Sequence, residues 1–435
     1  MEKRVLIISY YWPPTGGSGV QRWVKFAKYL PSEGWQPVIY TPLNPEAITV
    51  DESLLDEIPP QVEVIKRKIF EPYNIYRALT GKKGRTAQSG EVNPINSQKK
   101  SFTQKVSMWI RGNMFIPDPR CFWIGPSVRF LKKYMKEHPV DVIVSTGPPH
   151  SMHLIARKVA RSTGIPWVAD FRDPWTKMFY FKHLALSPWA QRKHVRLEKM
   201  VLDDASVVVA VSPLVQDEFK AMTTTEVDLI TNGFDEDDFA AKPQRDEYFS
   251  ITHTGLFASD GNPDILWKVL AEKCRRDSEF KKLLRIRLAG KTDKQITESI
   301  VAAGLGENLE DLGYCNHNDA VCLQKSSSLL ILPLRKEPEY RATLPGKLFE
   351  YLASERPILG IGQTDGAMAR IISQTQAGFV FGWEDSASIS RYIDLCWERF
   401  RSDTLKADTH DIGSFSRCSL THRMACLFDR LTDRY

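Results

Sequence analysis

Two hydrophobic rhythms alternate along the chain. Short runs rich in β-branched and aromatic residues recur at Val5–Ser9, Pro37–Tyr40, Val62–Ile65, Val142–Ser145, Trp167–Ala169, Val207–Val211 and Asp228–Ile230. Between several of them the apolar positions follow a helical period, at Val20–Leu30, Ser151–Arg161 and Pro188–Leu202. Strands interleaved with helices predict βαβ units and a parallel sheet. In Val207-Val208-Val209-Ala210-Val211 every position is apolar, which predicts a strand covered on both faces. Ser212-Pro213 follows as helix cap and first helical residue.

A second set begins after the acidic, Pro-containing stretch Asp235–Asp246. Its predicted strands are Phe249–Thr252, Leu284–Ala289, Leu309–Leu312, Leu329–Leu332, Ile358–Ile361 and Gly378–Phe381, with helices between, one of them opened by Asn262-Pro263 as a capped start. The fold class expected is therefore α/β, with two doubly wound, Rossmann-like domains facing a central cleft lined by the carboxyl ends of both sheets. The first would occupy residues 1–240, with a basic insertion at about 66–125, and the second residues 249–410. No short-period repeat is visible.

The richest chemistry follows the Leu329–Leu332 strand, in Thr343-Leu344-Pro345-Gly346-Lys347-Leu348-Phe349-Glu350-Tyr351-Leu352-Ala353. Pro345 and Gly346 keep the first helical turn free of bulk, so its amides can face an anion, and Lys347 adds a point charge. Glu350, three residues on, shares that face. The order suits a ligand presenting diphosphate first and a ribose diol one turn later. As an ordinary helix, the same segment would bury Leu348, Phe349 and Leu352 and leave Lys347 and Glu350 solvated.

Lys-Leu-Phe-Glu-Tyr-Leu-Ala followed by Arg356-Pro357-Ile358 resembles the donor-binding segment of retaining glycosyltransferases of the GT-B fold, the large family 4. The resemblance implies transfer of a sugar from a nucleotide-sugar donor, and a last helix, here Ser416–Leu431 within residues 411–435, that crosses back to the first domain. The turn Tyr10-Tyr11-Trp12-Pro13-Pro14-Thr15-Gly16-Gly17-Ser18-Gly19 is not a Gly-x-Gly-x-x-Gly, and the second strand ends in Tyr40-Thr41-Pro42 without a ribose-binding acid, which argues against a nicotinamide oxidoreductase. It resembles instead the family's Gly-Gly turn over the donor diphosphate, making Gly16 and Gly17 donor-side candidates.

Asp170-Phe171-Arg172-Asp173-Pro174-Trp175 gathers three charges where a buried strand ends; unpaired burial is costly, so they bond one another or meet a polar substrate. The string resembles a segment of bacterial polysaccharide glycosyltransferases, which implies acceptor-side and catalytic roles for Asp170, Arg172 and Asp173. His150, in Ser145-Thr146-Gly147-Pro148-Pro149-His150-Ser151, is a further catalytic candidate at the same rim. Thr231-Asn232-Gly233-Phe234-Asp235 resembles the family's turn before the interdomain linker. His253-Thr254-Gly255 and Gly313-Tyr314 match its donor-side turns. The pattern breaks twice: many relatives carry a phosphate-gripping Arg directly after this Gly and a Lys a few residues later, where this chain has Leu256 and Phe257 and no Lys until Lys268, and Ala342 replaces the first of two glutamates eight positions apart. Lys347, Arg335, Arg341, Lys291 or Arg172 then has to supply the missing charge. The donor-binding set is Gly16, Gly17, Gly255, Lys291, Gly313, Tyr314, Arg335, Thr343, Leu344, Gly346, Lys347 and Glu350.

Composition narrows the partners. With 42% hydrophobic and 26% charged residues the 435-residue chain is globular in kind. No apolar run approaches the roughly 20 residues of a membrane span, and the amino-terminal apolar run is too short for a secretory signal, so a cytoplasmic protein is expected. Seven scattered cysteines suit free thiols; Cys315, His317 and Cys322 lack a fourth ligand for zinc. Between Lys66 and Lys136 sixteen Lys or Arg stand against three acids, so that stretch carries +13 within a chain total of +6. With Lys105, Trp109, Arg111, Phe115, Phe122 and Trp123, it points to an anionic membrane surface at which a lipid-linked saccharide or growing polysaccharide accepts the sugar. No cofactor, metal or nucleic acid is expected. A nucleotide-sugar epimerase and a non-catalytic sugar-nucleotide-binding protein are the competing readings.

Overall fold

The computed structural model describes residues 3–46, 50–70, 109–110, 112–178, 181, 184–240 and 245–433. Most of the basic insertion, including Lys105 and Arg111, lies outside them. The chain divides into two compact units, Met1–Thr231 with Leu420–Tyr435, and Asn232–Ser419. Among the described residues no helix is long and apolar enough to cross a membrane.

The first unit holds strands β1 (Lys3–Ile8), β2 (Trp35–Pro42), β3 (Glu63–Arg67), β4 (Val142–Gly147), β5 (Trp167–Phe171), β6 (Val207–Ala210) and β7 (Val227–Leu229). All pair in parallel, in the order β3-β2-β1-β4-β5-β6-β7. Helices α1 (Ser18–Tyr29), α2 (Cys121–Glu137), α3 (Ser151–Thr163), α4 (Pro188–Asp204) and α5 (Pro213–Met222) connect them. Every residue of β4, β5 and β6 is buried, as strands sandwiched by helices require.

The second unit repeats the plan with β8 (Phe249–Thr254), β9 (Leu284–Ala289), β10 (Leu309–Gly313), β11 (Leu329–Pro333), β12 (Ile358–Ile361) and β13 (Gly378–Phe381), ordered β10-β9-β8-β11-β12-β13. Its helices are α6 (Asp264–Arg276), α7 (Ser278–Leu283), α8 (Lys294–Ala302), α9 (His317–Ser326), α10 (Lys347–Ala353), α11 (Ala367–Thr375) and α12 (Ser386–Arg401). One side of this sheet packs around Phe249, Trp267, Phe280 and Trp397, the other around Leu330, Leu332, Leu348 and Tyr351. Both units are thus doubly wound parallel-sheet folds. The sheet order reverses between β1 and β4 in one and between β8 and β11 in the other, the points outside whose carboxyl ends such sheets bind ligands.

The last helix, α13 (Arg417–Thr432), packs Leu420, Met424, Phe428 and Leu431 into the first unit's core. Phe428 meets Trp35 edge-on at 5.2 Å, and Asp429 accepts from the Trp35 indole at 3.2 Å and from Lys3 at 2.7 Å. Two expected caps differ. Ser212 precedes Pro213 at the start of α5, but its hydroxyl is buried without a partner among the described residues. Asn262 does not cap α6; its side chain accepts from Trp267 at 2.8 Å and donates to Ser299 at 2.9 Å, tying α6 to α8.

Candidate active site

In the second unit, the chain leaves β8, β9 and β10 through three glycines in the left-handed region: Gly255 (φ +82°), Gly290 (φ +133°) and Gly313 (φ +62°). The Gly255 amide donates to Ala289 O at 2.7 Å and the Gly290 amide to Gly313 O at 2.6 Å, stacking the turns. A Cβ on Gly290 would lie 2.4 Å from the Gly255 carbonyl, so bare backbone is obligatory there. Tyr314, next in the row, is 91% exposed.

Lys347 reaches this row from the first turn of α10. Its ammonium lies 3.0 Å from His253 Nε2 and donates to Leu256 O at 3.2 Å; a Cβ on Gly255 would be 3.5 Å from it. Loss of water around Lys347 pushes its pKa down to about 8, with Glu350 pulling the other way. His253 is buried, its Nδ1 has no partner among the described residues, and burial together with the Lys347 charge holds it well below its ordinary value, so it stays neutral and accepts from the lysine. It stacks on Phe257 at 4.0 Å.

Glu350 is half-buried, and its carboxylate accepts from Gln324 at 3.0 Å. Gln324 also donates to Thr254 Oγ1 at 3.0 Å, and Thr254 N donates to the Tyr351 hydroxyl at the same distance. This chain of buried groups fixes Glu350 beside the Lys347–Gly255 turn. Arg335 is engaged elsewhere, with Asp260 at 3.0 Å and the Tyr340 hydroxyl at 2.8 Å, and Arg341 pairs with Asp365 at 2.9 Å. Lys291 is exposed after β9; Thr343 and Leu344 are half-buried and Gly346 exposed before α10. Leu256, where an Arg was missed, is 54% exposed.

In the first unit, the loops after β1, β4 and β5 meet. Gly17 (φ +110°) is the residue before α1, exposed beside half-buried Gly16. Arg172 follows β5, and its guanidinium donates to Gly147 O at 3.4 Å and to Pro148 O. It lies directly on Gly19, where a Cβ would fall 1.6 Å from Nη1. Burial lowers the Arg172 pKa while Asp173 opposes that, and burial raises the Asp173 pKa while Arg172 opposes it. Asp173 is half-buried and makes no side-chain hydrogen bond to the described residues. Glu198 holds this loop by accepting from the Trp175 amide at 3.0 Å and from Thr176.

His150 lies flat against Trp175, centroids 4.5 Å apart and planes at 1°, with both ring nitrogens buried and without hydrogen-bond partners among the described residues. Burial first, then His153, His194 and Arg172, hold its pKa well below the ordinary value. His153 is brought to about 3 by burial, its Nδ1 facing the Ser145 hydroxyl at 2.8 Å.

Asp170 is a correction. It is wholly buried, paired with Arg22 at 2.8 Å, and also accepts from Trp23 at 2.8 Å and Thr146 at 2.9 Å. Arg22 continues to Thr231 O at 2.7 Å and Ile230 O at 2.9 Å. Burial pushes the Asp170 carboxyl up, but Arg22 and these donors hold it below the usual range. With both oxygens so occupied, Asp170 clamps α1 to the sheet. Trp123 is a second correction: it is buried and stacked on Tyr40 at 5.0 Å, not set in a membrane-facing surface, whereas Trp109 and Phe122 are exposed. Arg120, counted in the basic stretch, is buried against Tyr10 and Glu46.

Sequence reasoning did not single out Gln324 or Gly290, and left His253 and Gly19, although they stood in the quoted turns, outside the candidate set. Only His253 left a signal, as a His-Thr pair closing a buried strand beside an expected donor turn; the others depend on contacts between distant segments.

Residues 101–238 match the family model Glycosyltransferase Family 4, and residues 249–398 match Glycosyl transferases group 1. No curated protein matches the sequence. Among solved structures, a glycosyltransferase from Rickettsia africae ESF-5 shares 14% identity and a TM-score of 0.63 over 100% of both chains. Anabaena HepE, solved in complex with UDP-glucose, shares 14% identity and 0.54 over 99% of this chain and 97% of its own. WaaG, a glycosyltransferase involved in lipopolysaccharide biosynthesis, shares 14% and 0.54 over 98% and 99%. With a glycosyltransferase domain matched in each half and the two-sheet fold shared along its whole length, this chain is a glycosyltransferase of the GT-B fold.

Proposed function

We propose that the protein transfers a sugar, with retention, from a nucleotide-sugar donor to a polysaccharide or lipid-linked saccharide of the cell envelope. The observation that carries the reading is the partly dehydrated Lys347 ammonium set between Gly255 and Glu350 where the second sheet reverses. Lys347 neutralises the donor diphosphate, the open glycine turns at 255, 290 and 313 let it lie close to backbone, and Glu350 holds the ribose diol. Cleavage of the anomeric C–O bond builds negative charge on the departing diphosphate, which a fixed cation stabilises. That task belongs to Lys347, so EDTA is expected to leave the rate unchanged. Arg172, Asp173 and neutral His150 form the acceptor and reacting-sugar side. A diphosphate oxygen itself takes the acceptor proton, and no protein nucleophile is needed.

The UDP-glucose complex of HepE and the lipopolysaccharide role of WaaG support this donor and acceptor class. Exposed Phe70, Trp109, Met114 and Phe122 beside exposed Lys66, Arg67 and Lys68 support docking on anionic lipid.

The test is a thermal-shift panel of UDP, GDP, ADP and their sugars on the wild type, Lys347→Ala and Glu350→Ala. Stabilisation by one nucleotide series, lost in both variants, is expected. Donor turnover without acceptor would identify an epimerase; donor binding with no nucleotide release under any acceptor would identify a binding protein.

A further inference from the structure

A cationic cavity lies within the Asn232–Ser419 unit, at the amino ends of β11 and β12, whereas the turns that surround Lys347 follow the carboxyl ends of the strands. Its volume is about 660 Å³, enough for a sugar phosphate, and Arg245, Lys325, Arg356 and Lys406 line it against Glu236 and Glu355. Glu355 is already paired with Lys406 at 3.2 Å.

Arg356 is the anomaly. Among the described residues its half-buried guanidinium donates only to carbonyls, Lys325 O at 2.8 Å and Leu405 O at 3.4 Å, and makes no hydrogen bond or ion pair to a carboxylate. Arg245 donates to that same Leu405 oxygen while pairing with exposed Asp403, so two guanidiniums converge on one neutral acceptor. Two like charges drawn together and partly dehydrated are unfavourable unless an anion joins them. Guanidinium pairs fit phosphate oxygens two at a time.

We propose that this cavity binds a phosphorylated small molecule, its phosphate held between Arg245 and Arg356 with Lys406 at the mouth, as a site separate from the groups around Lys347.

The experiment uses full-length Lys347→Ala protein, which removes the anion response at the other site. Its melting temperature is followed against inorganic phosphate and glucose 6-phosphate, with NaCl at matched ionic strength. A rise of about 2 °C or more over the chloride control is expected. It should vanish on adding Arg356→Met and shrink on adding Lys406→Glu. No rise over chloride, or an equal rise in both added variants, overturns the proposal. Should Arg356→Met itself fail to fold, Lys406→Glu at the exposed mouth carries the decision. Loss of nucleotide binding in Lys347→Ala alone bears on the donor reading and leaves this one untouched.

Discussion

The two sheets share a plan and use their carboxyl ends differently. Where β1 meets β4, polar groups satisfy one another or are held neutral: Asp170 is closed into a clamp with Arg22, Trp23 and Thr146, and His150 and His153 are neutral by burial. Where β8 meets β11, Lys347 remains a cation whose pKa, about 8, lies close to the working range, above a row of glycine turns. The first region is shaped before any ligand arrives; the second holds a charge that a ligand would complete. A buried ion pair costs stability when half of it is lost, whereas a dehydrated lone cation is relieved by an arriving anion.

The sharpest way to break that contrast is Asp170→Asn. It leaves the Arg22 guanidinium buried without its counter-charge, and a loss of about 3–5 kcal/mol is expected from the denaturant midpoint. A variant of near-native stability that has lost activity would return Asp170 to the reacting groups. Lys347→Ala and Glu350→Ala should do the opposite, keeping the melting temperature within a few degrees while kcat/KM falls by about a hundredfold or more. A large stability loss in either variant would make the α10 groups structural and erase the difference between the regions.

Much of this was legible from residue order. All thirteen strands were expected within one or two residues of their ends, because parallel strands buried on both faces are short apolar runs with little ambiguity against the helical period between them. Lys347 and Glu350 stand out because the helix places them one turn apart. Asp170 misled because Asp-Phe-Arg-Asp reads as one charged string, yet alternation along β5 sends Asp170 to the face covered by α1 and a partner 148 residues away, while Arg172 and Asp173 fall past the strand end. Trp123 misled similarly: an aromatic in a basic stretch looks interfacial until its helix turns it toward Tyr40. The cap failed at Asn262 because tertiary neighbours outcompeted the local bond, whereas Ser212 holds the cap position without making the bond.

Gly19→Ala sharpens the comparison within the first region. Its Cβ would occupy the place of Arg172 Nη1, the far end of a flexible side chain, so the guanidinium is pushed aside without a backbone clash. Stability should change by less than about 1 kcal/mol, since a helical Gly→Ala is itself mildly favourable. Activity should fall on the order of tenfold to a hundredfold, the scale of a displaced positioning group, with nucleotide binding retained. Unchanged kcat would mean that Arg172 braces Gly147 and Pro148 and does nothing for the reaction.

The smallest effect is a pH dependence peculiar to Lys347. Its folded pKa, about 8, is below the ordinary 10.5 because of lost hydration. Between these values the unfolded chain binds more protons than the folded one, so folding stability contributed by this group rises with pH across that window. Anion affinity runs the other way, because the neutral amine offers no charge. Nucleotide binding should therefore weaken as pH rises through 8, by about tenfold at pH 9 relative to pH 7. Binding at pH 8.5 should take up protons, visible as a heat that varies with the ionisation enthalpy of the buffer, because the arriving diphosphate raises the lysine pKa. Lys347→Arg keeps its charge throughout and should flatten the profile. If the wild type and Lys347→Arg fall together above pH 8, the titrating group is not the lysine, and the second region is as fully preset as the first.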